Sequence, residues 1–313
     1  MAGKAPENAL ALIAGPTASG KSDLAVRLAL ALTEKGRKAR VINADSAQVY
    51  ADLAILSARP SLVEMSGIDH RLFGSWDGAH ACSAADWAAA ARREVDAAHA
   101  DGAVPILVGG TGLYIRTLLD GIAPIPAIDP AVRAAVREMP VAEAYTALCE
   151  EDPERAAELK PADSQRICRA LEVVRSTGHS MNFFNDRLEG GIGDRVALFP
   201  LILLPERELL FERCDTRFEL MLDIGAVEEV EALLARRLPQ DLPVMRAIGV
   251  REIAGWLNGH WSREEAIARG AQSTRNYAKR QYTWFRNQPP EGWSRLDPEN
   301  VDISAQFETL LQH

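Results

Sequence analysis

The chain has 313 residues, 47% of them apolar and 25% charged, with a formal net charge of −9. That is chain enough to bury a core unaided, with about two domains as the starting expectation, and the acidic balance excludes a protein that meets nucleic acid through its global charge. Cys82, Cys149, Cys168 and Cys214 form no CxxC pair and the six histidines no HExxH, which argues against a zinc site or a disulfide framework and for reduced thiols in the cytoplasm. Ala9–Ala14 is apolar but six residues long, too short for a membrane span or a signal-peptide core, so it predicts a buried strand and no membrane partner. Residues 22–33 carry apolar positions at helical spacing, and Lys38–Asn43 is a second strand. Ala84–Ala100 predicts a helix, 104–108 a third strand closed by Gly109-Gly110-Thr111-Gly112, and 113–119 another helix.

Beyond Gly121 the texture changes. Residues 123–130 are rich in proline, and 130–139, 141–150, 153–159 and Ser164–Thr177 read as helices. Gly190-Gly191-Ile192-Gly193 reads as a flexible exit. Residues 196–204 return as a strand, followed by helices at 206–225, 227–237, 244–258 and Arg263–Asn287. Strands alternating with helices imply a parallel sheet covered by helices. The expected fold is therefore α/β: a P-loop NTPase-like core over 1–122, an all-helical insertion over 123–192, and completion of the core with C-terminal helices over 193–313.

Gly15-Pro16-Thr17-Ala18-Ser19-Gly20-Lys21-Ser22 matches the phosphate-loop pattern in full, between strand and helix. Small residues let the backbone N–H groups turn inward onto phosphate oxygens, and the following helix adds its positive end. Lys21 supplies a point charge and Ser22 can hold magnesium. An NTPase carries a second strand ending in a magnesium-binding acid, but Ile106-Leu107-Val108 runs into Gly109-Gly110. A diphosphate therefore fits the loop as well as ATP or GTP does. Asp45, at the end of the second strand, lies near that loop in a parallel sheet. Its carboxylate can be a general base, a magnesium ligand or a helix cap, and the pattern leaves the three open.

Taken in order, the phosphate loop, Asp45-Ser46-Ala47-Gln48-Val49-Tyr50, Asp69-His70-Arg71-Leu72 and the LVGGTGLY segment ending at Tyr114 resemble the bacterial tRNA dimethylallyltransferases. So do Ser164-Gln165-Arg166 with Arg169-Ala170-Leu171-Glu172-Val173, and Thr274-Arg275 with Ala278-Lys279-Arg280-Gln281. The likeness covers about residues 10–287. It implies transfer of a dimethylallyl group from its diphosphate to the exocyclic amine of the adenosine on the 3′ side of the anticodon, in tRNAs reading codons that begin with U. It also implies Asp45 as general base and Thr17, Lys21, Thr111 and Arg217 as catalytic partners. The diphosphate cradle is Gly15, Pro16, Thr17, Ala18, Ser19, Gly20, Lys21, Ser22 and Arg213. Contacts to the tRNA anticodon stem-loop fall on Asp45, Ser46, Ala47, Gln48, Thr111, Arg133, Gln165, Arg166, Arg169, Arg246, Gly249 and Arg251. The cofactor is magnesium and the expected form a monomer.

The chain departs from the family's usual pattern at three places. Gly249-Val250 stands for Gly-Tyr, which removes an aromatic ring expected near RNA. Ser57-Ala58-Arg59-Pro60 stands for Thr-Ala-Lys-Pro, and Gly74 stands where an acid is common.

Residues 269–286 hold Arg269, Arg275, Lys279, Arg280 and Arg286 with no acid, interleaved with Tyr277, Tyr282, Trp284 and Phe285. Basic and aromatic residues together suit RNA, so Arg275, Lys279 and Arg280 are expected at its backbone, while the aromatics alone read better as a core face. A small-molecule kinase would need an acid after Val108. A prenyltransferase of free adenine nucleotides would need the same core without the basic helix. A non-catalytic RNA-binding protein leaves Asp45 and the intact cradle without a purpose.

Overall fold

The computed structural model describes residues 6–312. Six parallel strands form one sheet in the order β3-β2-β4-β1-β5-β6. They are β1 (Ala9–Ala14), β2 (Lys38–Asn43), β3 (Asp69–Arg71), β4 (Ala103–Gly109), β5 (Ala197–Leu203) and β6 (Ser294–Leu296). Every residue of β1 and β4 is buried, as continuous apolar runs require when helices cover both faces. The pleat divides β1 between two cores. Leu10, Leu12 and Ala14 join a cluster with Trp87, Leu118 and Phe285, while Ala9, Ala11 and Ile13 join one with Leu24, Leu28 and Phe307.

The helices of this body are α1 (Lys21–Glu34), α2 (Ala84–Ala100) and α3 (Gly112–Asp120). The chain continues through α4 (Pro130–Glu138), α5 (Val141–Glu151), α6 (Pro153–Ala157), α7 (Ser164–Thr177) and α8 (Met181–Asn185). It then adds α9 (Arg207–Asp223), α10 (Ala226–Ala235), α11 (Val250–Leu257), α12 (Arg263–Asn287), α13 (Ile303–Gln306) and α14 (Glu308–Leu311). Among the described residues two compact units result: Asp120–Gly191, and residues 6–119 with 192–312. The smaller unit has its own apolar cores, one around Val136, Leu148, Ile167 and Leu171 and one joining Ile128, Val173 and Phe184.

Two sequence expectations need correction, and two short strands had gone unread. Residues 244–258 are not one helix. Pro243–Arg246 forms a 3-10 turn, and Gly249, at φ 96°, breaks the chain before α11. A Cβ there would lie 2.5 Å from Leu56 Cδ1, so both the backbone and the space demand glycine. The segment after Gly191 is no loose exit, since Ile192 is fully buried and its N–H donates to Leu118 O at 2.9 Å. Strands β3 and β6 are three residues each, too short for a periodic signal, and β3 is polar as suits a sheet edge.

Candidate active site

Three loops at the carboxyl ends of β1, β2 and β4 are laced together by backbone bonds. Gly15 N–H donates to Gly109 O (3.4 Å), Ala44 N–H to Val108 O (2.7 Å) and Thr111 N–H to Ala44 O (3.1 Å). The spacing is tight enough that a Cβ on Gly109 would lie 2.2 Å from the Ala44 backbone, and one on Gly110 2.3 Å from Gln281 Nε2. This is why β4 ends in glycines rather than an acid.

In the phosphate loop, Gly20 (φ 81°) caps α1 and turns the loop toward the helix axis. Lys21 is buried, and its ammonium donates to Pro16 O at 3.2 Å. Burial pulls the Lys21 pKa down to about 8; nearby Asp45 opposes the shift and Arg217 adds to it. The Ser19 hydroxyl is buried without a partner among the described residues, and Ser22 is half-buried in the first turn of α1.

Asp45 is 7% exposed. Asn43, fully buried, sets its turn: the Asn43 side-chain oxygen accepts Asp45 N–H (2.9 Å), while its amide donates to Asp45 O (3.1 Å) and Leu72 O (3.0 Å). Trp87 Nε1 donates to Asn43 O at 2.9 Å. Asp45 Oδ1 accepts Ala47 N–H at 3.0 Å within a turn; no helix begins there among the described residues, so Asp45 is not the helix cap that the sequence left open, and Oδ2 has no protein donor among the described residues. Ser46 N–H donates to Thr111 Oγ1 (2.9 Å), and the Thr111 hydroxyl donates to Ser46 Oγ (3.2 Å).

A cavity of about 340 Å³ opens against these loops. Thr17, Asp45, Ser46 and Ala47 form its sheet side; Arg217, Phe218 and Met221 come from α9, Arg246 and Ile248 from the turn before α11, and Thr274, Tyr277 and Arg280 from α12. Tyr50, Cys82 and Tyr114 complete an apolar part. Burial lowers the Arg217 pKa, partly offset by Cys214 and Asp45 nearby, and the group remains a cation. Burial pushes the Cys214 thiol up to about 11, so it stays protonated. Burial and then Asp45 push the Tyr277 phenol up, with the Thr111 and Ser46 hydroxyls pulling partly the other way. The cavity thus presents a carboxylate on one side, a guanidinium on another and no second carboxylate among its lining residues.

The residues singled out from sequence divide. Thr17, Asp45, Ser46, Ala47, Arg217, Arg246 and Arg280 meet at the cavity. Arg213, one turn before Arg217, is not among the lining residues and lies 3.5 Å from Glu299. The side-chain amide of Gln48 is spent on Ser57 O (3.2 Å) and Ala58 O (2.8 Å). Arg275 is ion-paired with Asp215, whereas Lys279 and Arg251 are exposed. In the smaller unit, Gln165 is exposed and Arg166 lies 3.6 Å from Asp163. Arg133 and Arg169 stand with Arg137 around one buried carboxylate, Glu172, at 3.9, 3.5 and 3.1 Å.

Sequence reasoning gave no role to Gln281 and read Tyr277 with its neighbouring aromatics as a core face, which its place at the cavity corrects. Gln281 Oε1 accepts Thr17 N–H and its amide donates to Gly110 O, both at 2.8 Å, bracing the phosphate loop against the β4 loop from α12. Tyr277 lines the cavity, while Phe285 is core and Trp284 packs on Gly112, so one aromatic of the basic stretch is at the site. The other two departures from the family pattern meet in space: a Cβ on Gly74 would fall 1.7 Å from Arg59 Nη1, so the longer arginine occupies the room an acid would need. Val250 is 1% exposed in the main core, so in this chain the position carries no ring toward RNA.

Comparison with known proteins agrees with this arrangement. The profile of the family described as IPP transferase matches residues 48–288. A protein of Erythrobacter litoralis named tRNA dimethylallyltransferase is 64% identical over 304 residues, 97% of this chain and 96% of that protein. The crystal structure of the tRNA isopentenylpyrophosphate transferase of Bacillus halodurans is 32% identical with a TM-score of 0.68, over 97% of this chain and 94% of the other. A eukaryotic dimethylallyltransferase captured acting on tRNA is 28% identical with a TM-score of 0.74, over 88% of this chain and 69% of that one.

Proposed function

The chain belongs to the IPP transferase family, and on that premise we propose that it transfers a dimethylallyl group from dimethylallyl diphosphate to tRNA. The acceptor in this reading is the exocyclic amine of the adenosine 3′ to the anticodon, in tRNAs that read codons beginning with U. The observation that carries the reading is that Asp45 and Thr17 of the phosphate loop line one cavity together with Arg217 and an apolar part.

An adenine amine is a weak nucleophile because its lone pair is delocalised into the ring. As its nitrogen bonds to the allylic carbon, the C–O bond to diphosphate breaks, and the departing proton passes to Asp45 Oδ2, the oxygen with no protein donor. Lys21, Arg217 and the loop amides stabilise the charge that gathers on diphosphate. Thr17 and Thr111 hold the two sides of the site in register, through Gln281 and Ser46 respectively. No NTP is consumed. Ser22 would hold magnesium together with the donor's own phosphate oxygens, the mode in which the ion needs few protein ligands and supplies charge neutralisation on the leaving group. The half-buried Ser22 hydroxyl and the unpartnered Ser19 hydroxyl in the same loop fit such a complex.

Arg246 and Arg280 at the cavity, Lys279 and Arg251 on the exposed surface, and Arg133 and Arg169 beside Glu172 are among the tRNA contacts of this reading. An anticodon-loop base is already unpaired, so bringing it out of the stack costs little. A cytoplasmic monomer is the form proposed, in keeping with four cysteines that form no CxxC pair. No helix among the described residues is long and apolar enough to cross a membrane.

Asp45→Ala tests the mechanism. Donor and tRNA binding should persist while turnover falls by about 10²–10⁴-fold; a near-normal rate removes Asp45 as the base.

A further inference from the structure

A second hollow, of about 690 Å³, adjoins the cavity along α9. Ala58, Arg217 and Met221 line both spaces, so these three residues form the partition between them. Glu64 is the one acid among the residues lining the hollow. Its Oε2 accepts the Ser61 N–H at 2.8 Å and the Ser61 hydroxyl at 2.7 Å, which fixes how the carboxylate is turned. Oε1 has no protein donor among the described residues. Arg59, the other cation beside Arg217 in the hollow, is directed to Tyr50 O at 3.4 Å.

Arg217 is half-buried, and its one hydrogen bond among the described residues is long, to Ala58 O at 3.5 Å. No carboxylate among the described residues closes to an ion pair with it. Its charge is nevertheless felt on both sides of the partition. On the cavity side, burial lowers the Lys21 pKa and Arg217 lowers it further, so the guanidinium stands within electrostatic reach of the phosphate loop. On the hollow side, the Ser61 bonds hold the Glu64 carboxyl below its ordinary range and Arg217 adds to that. A cation drawn out of water without a close partner is unfavourable until a counter-charge is supplied. Diphosphate supplies one from the cavity. With the cavity empty, Glu64 supplies one from the hollow.

We propose that Glu64 is a positioning residue that acts through Arg217: it is the counter-charge of that guanidinium in the empty site, and the diphosphate of donor or product competes with it. This rests on the proposed function above, which places diphosphate at the phosphate loop. The consequence has a definite sign. Glu64 opposes diphosphate binding, so removing its charge should tighten the hold on diphosphate rather than loosen it. That opposition serves turnover, because a grip equally firm on substrate and product lowers KM without raising the rate, and the product must leave.

The test is titration calorimetry of inorganic diphosphate, with magnesium present, into wild type, Glu64→Gln, Arg217→Ala and the double variant. The glutamine oxygen still accepts both Ser61 bonds, so the turn survives and the charge alone is lost. Glu64→Gln should bind diphosphate about threefold to fivefold more tightly, the scale of one partly solvated charge pair. The gain should shrink as salt rises to about 1 M, where charges are screened within about 3 Å. Arg217→Ala should bind more weakly, and in that background Glu64→Gln should add little, since coupled residues are non-additive. Asp223→Asn removes one negative charge elsewhere on α9, where Asp223 pairs with Arg263, and should bind as wild type does. Unchanged or weaker binding in Glu64→Gln would overturn the proposal. So would the same gain in Asp223→Asn or in the absence of Arg217. A wild type that binds no diphosphate fails the proposed function instead, so the two failures are distinguishable.

Discussion

At the residue scale the cavity depends on charges held out of water. Between a pKa of about 8 and the ordinary 10.5, Lys21 in the folded chain is neutral where a free lysine is charged. An incoming diphosphate restores that charge, so above about pH 8 donor binding takes up a proton and weakens as pH rises. Titration calorimetry with the donor at pH 7 and pH 9 should show weaker binding at the higher pH and proton uptake that varies with buffer. Equal affinity at both would mean that Lys21 is already charged in the empty site. In that same window the unfolded chain binds more protons than the folded one, so the contribution of Lys21 to stability rises with pH. Asp45, Thr17 and Lys21 were legible from sequence because each sits at a strand end in a short motif. Arg217 could not be told from Arg213, since one helical turn separates them and only the packing of α9 shows which reaches the cavity. Gln281 acts across more than 170 residues of chain, a separation that no local pattern reports.

At the element scale α12 joins the two chemistries, bracing the phosphate loop with Gln281 while presenting Arg280 to the cavity and Lys279 to the surface. Its basic residues should not contribute equally to RNA binding. Arg275 is already paired with Asp215, whereas Lys279 has no carboxylate partner among the described residues. Lys279→Ala and Arg280→Ala should each reduce the slope of log affinity against log salt by about one. Arg275→Ala should reduce it by less. Slopes unchanged from wild type in all three variants, measured by filter binding from low to moderate salt, would argue that the patch is structural. The helix itself was readable end to end from its period, and its Ser262–Glu265 capping box is formed. The break before α11 was not, because the apolar spacing runs on through Gly249 and only its positive φ and the crowding by Leu56 interrupt the helix.

At the scale of the whole molecule, the alternation of strand and helix fixed the class of the main unit, and the apolar runs supplied its inner strands. The edge strands lacked the length to announce themselves. The smaller unit stands on its own cores and on Glu172, whose buried carboxylate gathers Arg133, Arg137 and Arg169. Charged hydrogen bonds contribute about 1.5–3 kcal/mol, less where the partner is solvated as these arginines partly are. Glu172→Ala should therefore destabilise residues 130–177 by roughly 1–3 kcal/mol. Hydrogen exchange should record this as faster amide exchange in α4, α5 and α7 with β1 and β4 unchanged. Uniform loosening of both units would show that they unfold together.

The most direct measurement is acceptor choice. Purified protein, labelled dimethylallyl diphosphate and magnesium are mixed in parallel with unmodified tRNA, with free AMP, and with AMP plus ATP. The account predicts label in tRNA alone, with no ATP consumed. Label in AMP would move the activity to free nucleotides and leave the basic surface of α12 without its role. ATP hydrolysis with no label in any acceptor would mean that the phosphate loop serves a nucleotide, and would contradict the assignment of Asp45 and the cradle to prenyl transfer.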